Sequence, residues 1–173
     1  QEMNDELFPV VDENGDVIGS ATRGECHSGS MKLHPVVHLH VIDRHGRILL
    51  QRRSPDKDIQ PGRWDTAVGG HVDYGESVRD ALMRESREEL GIDASAAVAV
   101  THYVFQSQRE REYVNTFFLR VDADDFKAYP DPVEISEIRF WTVDEIRGSL
   151  GLGELTPNFE MEFSRLLPEL LRS

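Results

Sequence analysis

The chain has 173 residues, enough for one domain with a substantial core and short for two. Apolar residues make up 39% and charged residues 29%, which argues against wholesale disorder. A formal net charge of −13 speaks against nucleic acid or anionic membrane as a partner, but a small phosphate ligand stays accessible wherever a divalent cation reverses the local field.

With Cys26 as its one cysteine the chain forms no internal disulfide, which fits a reducing, cytoplasmic compartment. The opening residues QEMNDELFPVV are acidic and lack the basic-then-apolar order of a signal peptide, and no run of about eighteen apolar residues spans a membrane. The expectation is a single domain over residues 1–173, with a hairpin and connector over 1–30.

Two short apolar runs around Asn14-Gly15 predict that hairpin, and the polar connector CHSGSMKLH follows. VVHLHVIDRHGRILLQRR predicts a strand pair turning at His45-Gly46, with His38 and His40 on one strand face. The loop SPDKDIQPGR leads to a short strand near WDTAV. A helix then runs from Ser77, its cap, to Gly91, its stop, with Asp80 placed as a capping-box partner and Val78, Ala81, Leu82 and Leu90 as its buried stripe. Two long strands, a loop and a last strand (ISEIRFWTV) precede two helices, the final one with Phe159, Phe163, Leu166, Leu167 and Leu170 at helical spacing. This order predicts an α+β fold in which helices pack on a mixed β-sheet.

The central helix concentrates negative charge. Glu85, Glu88 and Glu89 fall on one side of it, where like charges repel by roughly a few tenths of a kcal/mol per exposed pair. Convergent carboxylates suit a hard cation such as Mg²⁺ or Mn²⁺, and Arg84, four residues before Glu88, can hold a ligand's orientation. The glycines at Gly69-Gly70 let the backbone approach the same ion.

The full pattern, Gly70, Glu76, Arg84-Glu85, Glu88-Glu89 and Gly91-Ile92 with its spacings, resembles the Nudix hydrolase signature over residues 70–92. Every fixed position matches, and Ser86 stands where that family usually has an apolar residue. The resemblance extends through PGRW and EIRFWTVDEI to nearly the whole chain. It implies the Nudix fold, an α/β/α sandwich with a mixed sheet between helices and here an amino-terminal β-hairpin extension. It also implies a metal ion, Mg²⁺ or Mn²⁺, at Glu85, Glu88, Glu89 and the Gly69 carbonyl, with Glu85 as ligand or base and Glu76 supporting the architecture. The implied activity is water attack on the diphosphate of a small-molecule substrate, a nucleoside diphosphate linked to another moiety.

The segment VVDENGDVIGSATRGECHSGSMKLH is similar to the leader of isopentenyl-diphosphate isomerases and their hydrolase relatives within the same superfamily. By that resemblance His27, His34 and His71, with Glu112 from the later strand, match a second metal site, suited to Mn²⁺ or Zn²⁺. The isomerases carry a cysteine immediately before a Gly-His pair, and this chain has Gly69 there; Cys26 lies in a different segment. Hydrolase is therefore the expected class, isomerase the alternative and a non-catalytic nucleotide sensor the third reading.

Arg52 and Arg53, ending a strand, are candidate phosphate clamps, and Trp64 and Tyr74 candidate stacking platforms for a base. Glu110, Glu112, Glu134 and Glu137 are candidate general bases, Glu112 foremost. Monomer and homodimer both stay open, the amino-terminal hairpin being a frequent dimer contact in related proteins.

Overall fold

The computed structural model describes residues 6–172, with side chains through Leu170; the acidic opening residues 1–5 and Ser173 lie outside it. The amino-terminal hairpin forms as expected. Strands β1 (Leu7–Val11) and β2 (Val17–Thr22) pair antiparallel around a turn in which Gly15 takes φ +88°, the left-handed region that glycine reaches without strain. One helical turn, α1 (Arg23–Cys26), follows, which the sequence reading does not anticipate; a reciprocal Thr22–Glu25 capping box closes it.

The long strands β3 (Leu33–Asp43) and β4 (Ile48–Arg53) join through Ile42 and Ile48 and then diverge. The single short strand expected near WDTAV is two. β5 (Trp64–Thr66) pairs with β4, whereas β6 (Val68–His71) crosses at Ala67 to pair with β3. The sheet thus splits into two halves hinged at one end, and the opening between β5 and β6 becomes a cleft.

Helix α2 (Val78–Leu90) comes next, then β7 (Val98–Gln106), β8 (Arg111–Val121), β9 (Ile135–Trp141), α3 (Val143–Ser149) and α4 (Pro157–Arg172). β8 runs parallel to β3 and antiparallel to β7, and β9 runs antiparallel to β4, so the seven-stranded sheet is mixed. Strand alternation divides the core. Val37, Leu39 and Val41 of β3 pack with Leu82 and Leu90 of α2. Ile42, Ile48 and Leu50 face the other way, against Ile146 of α3 and Phe159, Phe163 and Leu166 of α4. The result is the α/β/α sandwich. No helix among the described residues is long and apolar enough to cross a membrane.

The Ser77 side chain caps α2 by accepting from the Asp80 amide at 3.0 Å, and Gly91 ends it at φ +63°. The reciprocal half of the expected capping box is not formed, since aspartate is one methylene shorter than the glutamate that reaches back. The buried stripe is Ala81, Leu82, Ser86 and Leu90. Ser86 is fully buried and its hydroxyl has no hydrogen-bond partner among the described residues. Ser86→Ala removes that unsatisfied group and raises helix propensity, so it is expected to stabilise the fold by about 1 kcal/mol, read as a melting temperature higher by a few degrees.

Candidate active site

The cleft between β5 and β6 is a cavity of about 390 Å³. Glu85, Glu88 and Glu89 line it from α2, His38 from β3, Gln51 and Arg53 from β4, and Gly69 from β6. Helical periodicity places the three glutamates on one side of α2, and the split sheet leaves that side uncovered.

Around them the hydrogen bonds are directional. Arg84 grips Glu76 with two nitrogens, at 2.9 and 3.0 Å, and donates to the His71 carbonyl at 3.1 Å. The same guanidinium reaches Glu85 at 3.3 Å and Glu88 at 3.4 Å, tying the loop before the helix to two of the glutamates. Gln51 Nε2 donates to the Ala67 carbonyl and, at 3.0 Å, to Glu89. The Gly69 amide also donates to Glu89, which puts that peptide at the carboxylate.

Burial and the neighbouring Glu85 charge push the Glu89 carboxyl up to about 8. Burial raises Glu85 too, with the Glu88 charge adding to it, although Arg84 opposes. Two carboxylates raised by burial and by each other's charge are a site with unmet demand for positive charge, which a divalent cation satisfies. A Cβ on Gly70 would sit 2.2 Å from the Glu85 carboxyl carbon. Gly70→Ala is therefore expected to displace Glu85 and weaken Mn²⁺ binding at least about tenfold by calorimetry, with the fold intact by circular dichroism.

A second cluster lies beside the first. β6 links them: Gly69 is in the cavity, and His71, two residues on, leaves from the same side. The ligating atoms of His27, His34 and His71 lie within 4.8 Å of one another, as do those of His34, Glu110 and Glu112. His27 Nε2 and His71 Nε2 are 3.2 Å apart, and Glu110 approaches His27 at 3.4 Å and His34 at 3.7 Å. Phe8 of the hairpin stacks on His71 at a centroid distance of 4.6 Å, so the hairpin walls this cluster. Burial lowers all three imidazoles, His71 most, which favours the neutral ring that a metal ion requires. Burial and the Glu110 charge push Glu112 up to about 7. Among the described residues His34 Nε2 and Glu110 Oε1 are buried without a hydrogen-bond partner, both aimed into the cluster. Imidazoles, carboxylates and two orphaned acceptors together fit a transition-metal ion.

Arg53 lines the cavity, paired with Asp65 at 3.4 Å; Lys57 also lines it, paired with Glu134. Arg52, one residue off in the strand alternation, does not line it: its side chain reaches the Gly62 carbonyl and Glu137 on the surface. Trp64 packs edge-on against Trp141 beside the α4 core, and Tyr74 is exposed; neither lines the cavity. Cys26 is buried with Phe8 and Ala21, its thiol pushed up to about 11 by burial, and it does not line the cavity. Gln51, Asp65, Thr66, Asp131 and Asn158 line it without having been singled out in the sequence.

The NUDIX domain family matches residues 32–159. An uncharacterised Nudix hydrolase of Streptomyces coelicolor is 30% identical over 164 residues, 94% of this chain and 88% of that protein. An isopentenyl-diphosphate Delta-isomerase of Streptomyces griseus is 33% identical over 145 residues, 81% of this chain and 73% of that one. The crystal structure of a Deinococcus radiodurans protein superposes with a TM-score of 0.74 at 26% identity, covering 92% of this chain and 98% of that chain.

Proposed function

This chain belongs to the Nudix hydrolase family, and from that premise we propose that it hydrolyses the diphosphate of a nucleoside diphosphate linked to another moiety, using Mg²⁺ or Mn²⁺. The observation that carries the reading is the Glu85–Glu89 pair, two carboxylates forced together at the floor of the cavity with Glu88 beside them. These three side chains and the Gly69 peptide would hold the ion, which when bound neutralises the diphosphate and activates water. Arg84 keeps Glu85 and Glu88 from swinging out to solvent. Gln51 and the Gly69 amide fix Glu89. Arg53 and Lys57 are the cavity's candidates for gripping phosphate oxygens, each released from its own carboxylate when substrate enters. At the second cluster His27, His34, His71, Glu110 and Glu112 would hold a further Mn²⁺ or Zn²⁺.

That second cluster, with the isomerase relatives, supports a second reading as an isopentenyl-diphosphate isomerase. Against it, Gly69 offers no thiol to move a proton at carbon. One mass-spectrometric turnover screen with Mg²⁺ or Mn²⁺ tests both. It covers nucleotide sugars, nucleoside di- and triphosphates, dinucleoside polyphosphates, coenzymes and isopentenyl diphosphate. Cleavage of a diphosphate that is lost in Glu88→Gln supports the hydrolase. Interconversion of isopentenyl diphosphate replaces it with the isomerase. Metal-dependent turnover of nothing, with nucleotide binding retained, replaces both with a sensor.

A further inference from the structure

A third charged assembly lies behind the cavity, on the α4 face of the sheet, and the proposed hydrolysis leaves it without a task. Glu162 of α4 is 1% exposed, yet its carboxylate takes three donors: His38 Nδ1 at 2.8 Å, His40 Nε2 at 2.5 Å and the Tyr103 hydroxyl. A buried carboxylate is costly unless paired and hydrogen-bonded, and well-packed apolar side chains commonly serve stability as well.

The three donors differ in what else they face. His40 is buried between Phe118 and Phe159, and Tyr103 packs with Val36 and Val114. His38 alone of the three lines the cavity that holds Glu85, Glu88 and Glu89. With Nδ1 committed to Glu162, its Nε2 has no hydrogen-bond partner among the described residues, and it points past Gly69. A Cβ on Gly69 would lie 4.0 Å from Nε2, so glycine there keeps the edge of the ring open. Arg53 and Lys57, the cations lining the cavity, are already tied to Asp65 and Glu134. With Nδ1 turned to the carboxylate, Nε2 is the one polar atom of the ring left to meet a ligand in the cavity.

We propose that His38 is a substrate-binding residue that hydrogen-bonds through Nε2 to a non-bridging oxygen of the diphosphate, and that Glu162 is the positioning residue that aims it. This rests on the diphosphate reading above. Through Glu162, α4 acts on substrate from the face of the sheet opposite α2.

The test is calorimetric titration of inorganic pyrophosphate with Mg²⁺ into wild type, His38→Ala, Glu162→Gln, His40→Gln and Glu88→Gln. His38→Ala is expected to weaken binding about tenfold or more, and Glu162→Gln to act in the same direction. His40→Gln, whose amide still donates to Glu162, is expected to bind as wild type does. On the cleaved substrate, KM rises in His38→Ala while kcat is held. In the wild type, where no variant has to fold, the His38 Nε2 resonance in ¹⁵N spectra shifts on adding pyrophosphate. Unchanged affinity in His38→Ala beside a loss in Glu88→Gln overturns the inference and spares the hydrolase site. Unchanged affinity in Glu88→Gln overturns the site reading instead. An unmoved Nε2 resonance, equal losses in His38→Ala and His40→Gln, or a fall in kcat at constant KM each overturn the inference. No pyrophosphate binding by wild type overturns both.

Discussion

Glu89→Gln is expected to give a folded protein that is more stable than wild type without metal, and whose metal-dependent turnover falls by roughly a hundredfold or more. The two effects share one cause. Glu89 is pressed against Glu85, and burial and that neighbouring charge push its carboxyl up to about 8. Glutamine fills the same volume. Its amide can meet Gln51, the Gly69 amide and Glu85 without bearing charge, so the repulsion inside the cavity disappears. The same substitution takes an anionic oxygen from the site that would hold the cation. Melting in EDTA and turnover on the cleaved substrate, measured side by side, check both signs. Glu88→Gln is the contrast: Glu88 is exposed, so turnover falls without a gain in stability. Wild-type turnover in Glu89→Gln would remove this carboxylate from the catalytic site.

How much of this was legible in the sequence depends on the distance over which each feature is encoded. The glutamates were legible because helical spacing turns positions 85, 88 and 89 into a single face without reference to the rest of the chain. The alternation of His38 and His40 gave their shared face. It could not give Glu162, which arrives on that face 124 residues after His38. The split of one short strand into β5 and β6 was hidden because no turn residue interrupts Thr66-Ala67-Val68; the break comes from a change of pairing partner, a tertiary event. Two features are encoded locally. Strand parity puts Arg53 on the side of Gln51 and turns Arg52 away, and, extended one residue ahead of β8, it puts Glu110 with Glu112. The parity rule recovers both.

The metal-free protein is expected to lose stability as the pH rises from about 6.5 to 9, and divalent metal to reverse the loss. Three raised groups set the sign. Glu89 is held at about 8 and Glu112 at about 7, against 4.5 for an unperturbed glutamate. His38 is raised from 6.5 to about 9, because Glu162 outweighs the cost of burying its charge. Through this window the folded chain holds protons that the unfolded chain has released, so each step up in pH favours unfolding. The groups shifted the other way act elsewhere. His27, His34 and His71 are lowered by burial, and Glu162, despite its burial, is lowered by His38 and His40. All four are deprotonated in both states across most of the window, and their contributions lie at lower pH. The expected fall in the melting temperature in EDTA is on the order of several degrees. Mn²⁺ held at Glu89 and Glu112 would take the place of their protons, so its stabilising increment is expected to grow with pH and its binding near pH 7 to release protons. Calorimetric titration in two buffers of different ionisation enthalpy measures that release. Glu89→Gln removes one of the raised carboxyls and flattens the slope in EDTA. A melting temperature that held constant or rose across the window would show that the cavity carboxylates are not crowded together, and the case for a cation between them would lose its physical basis.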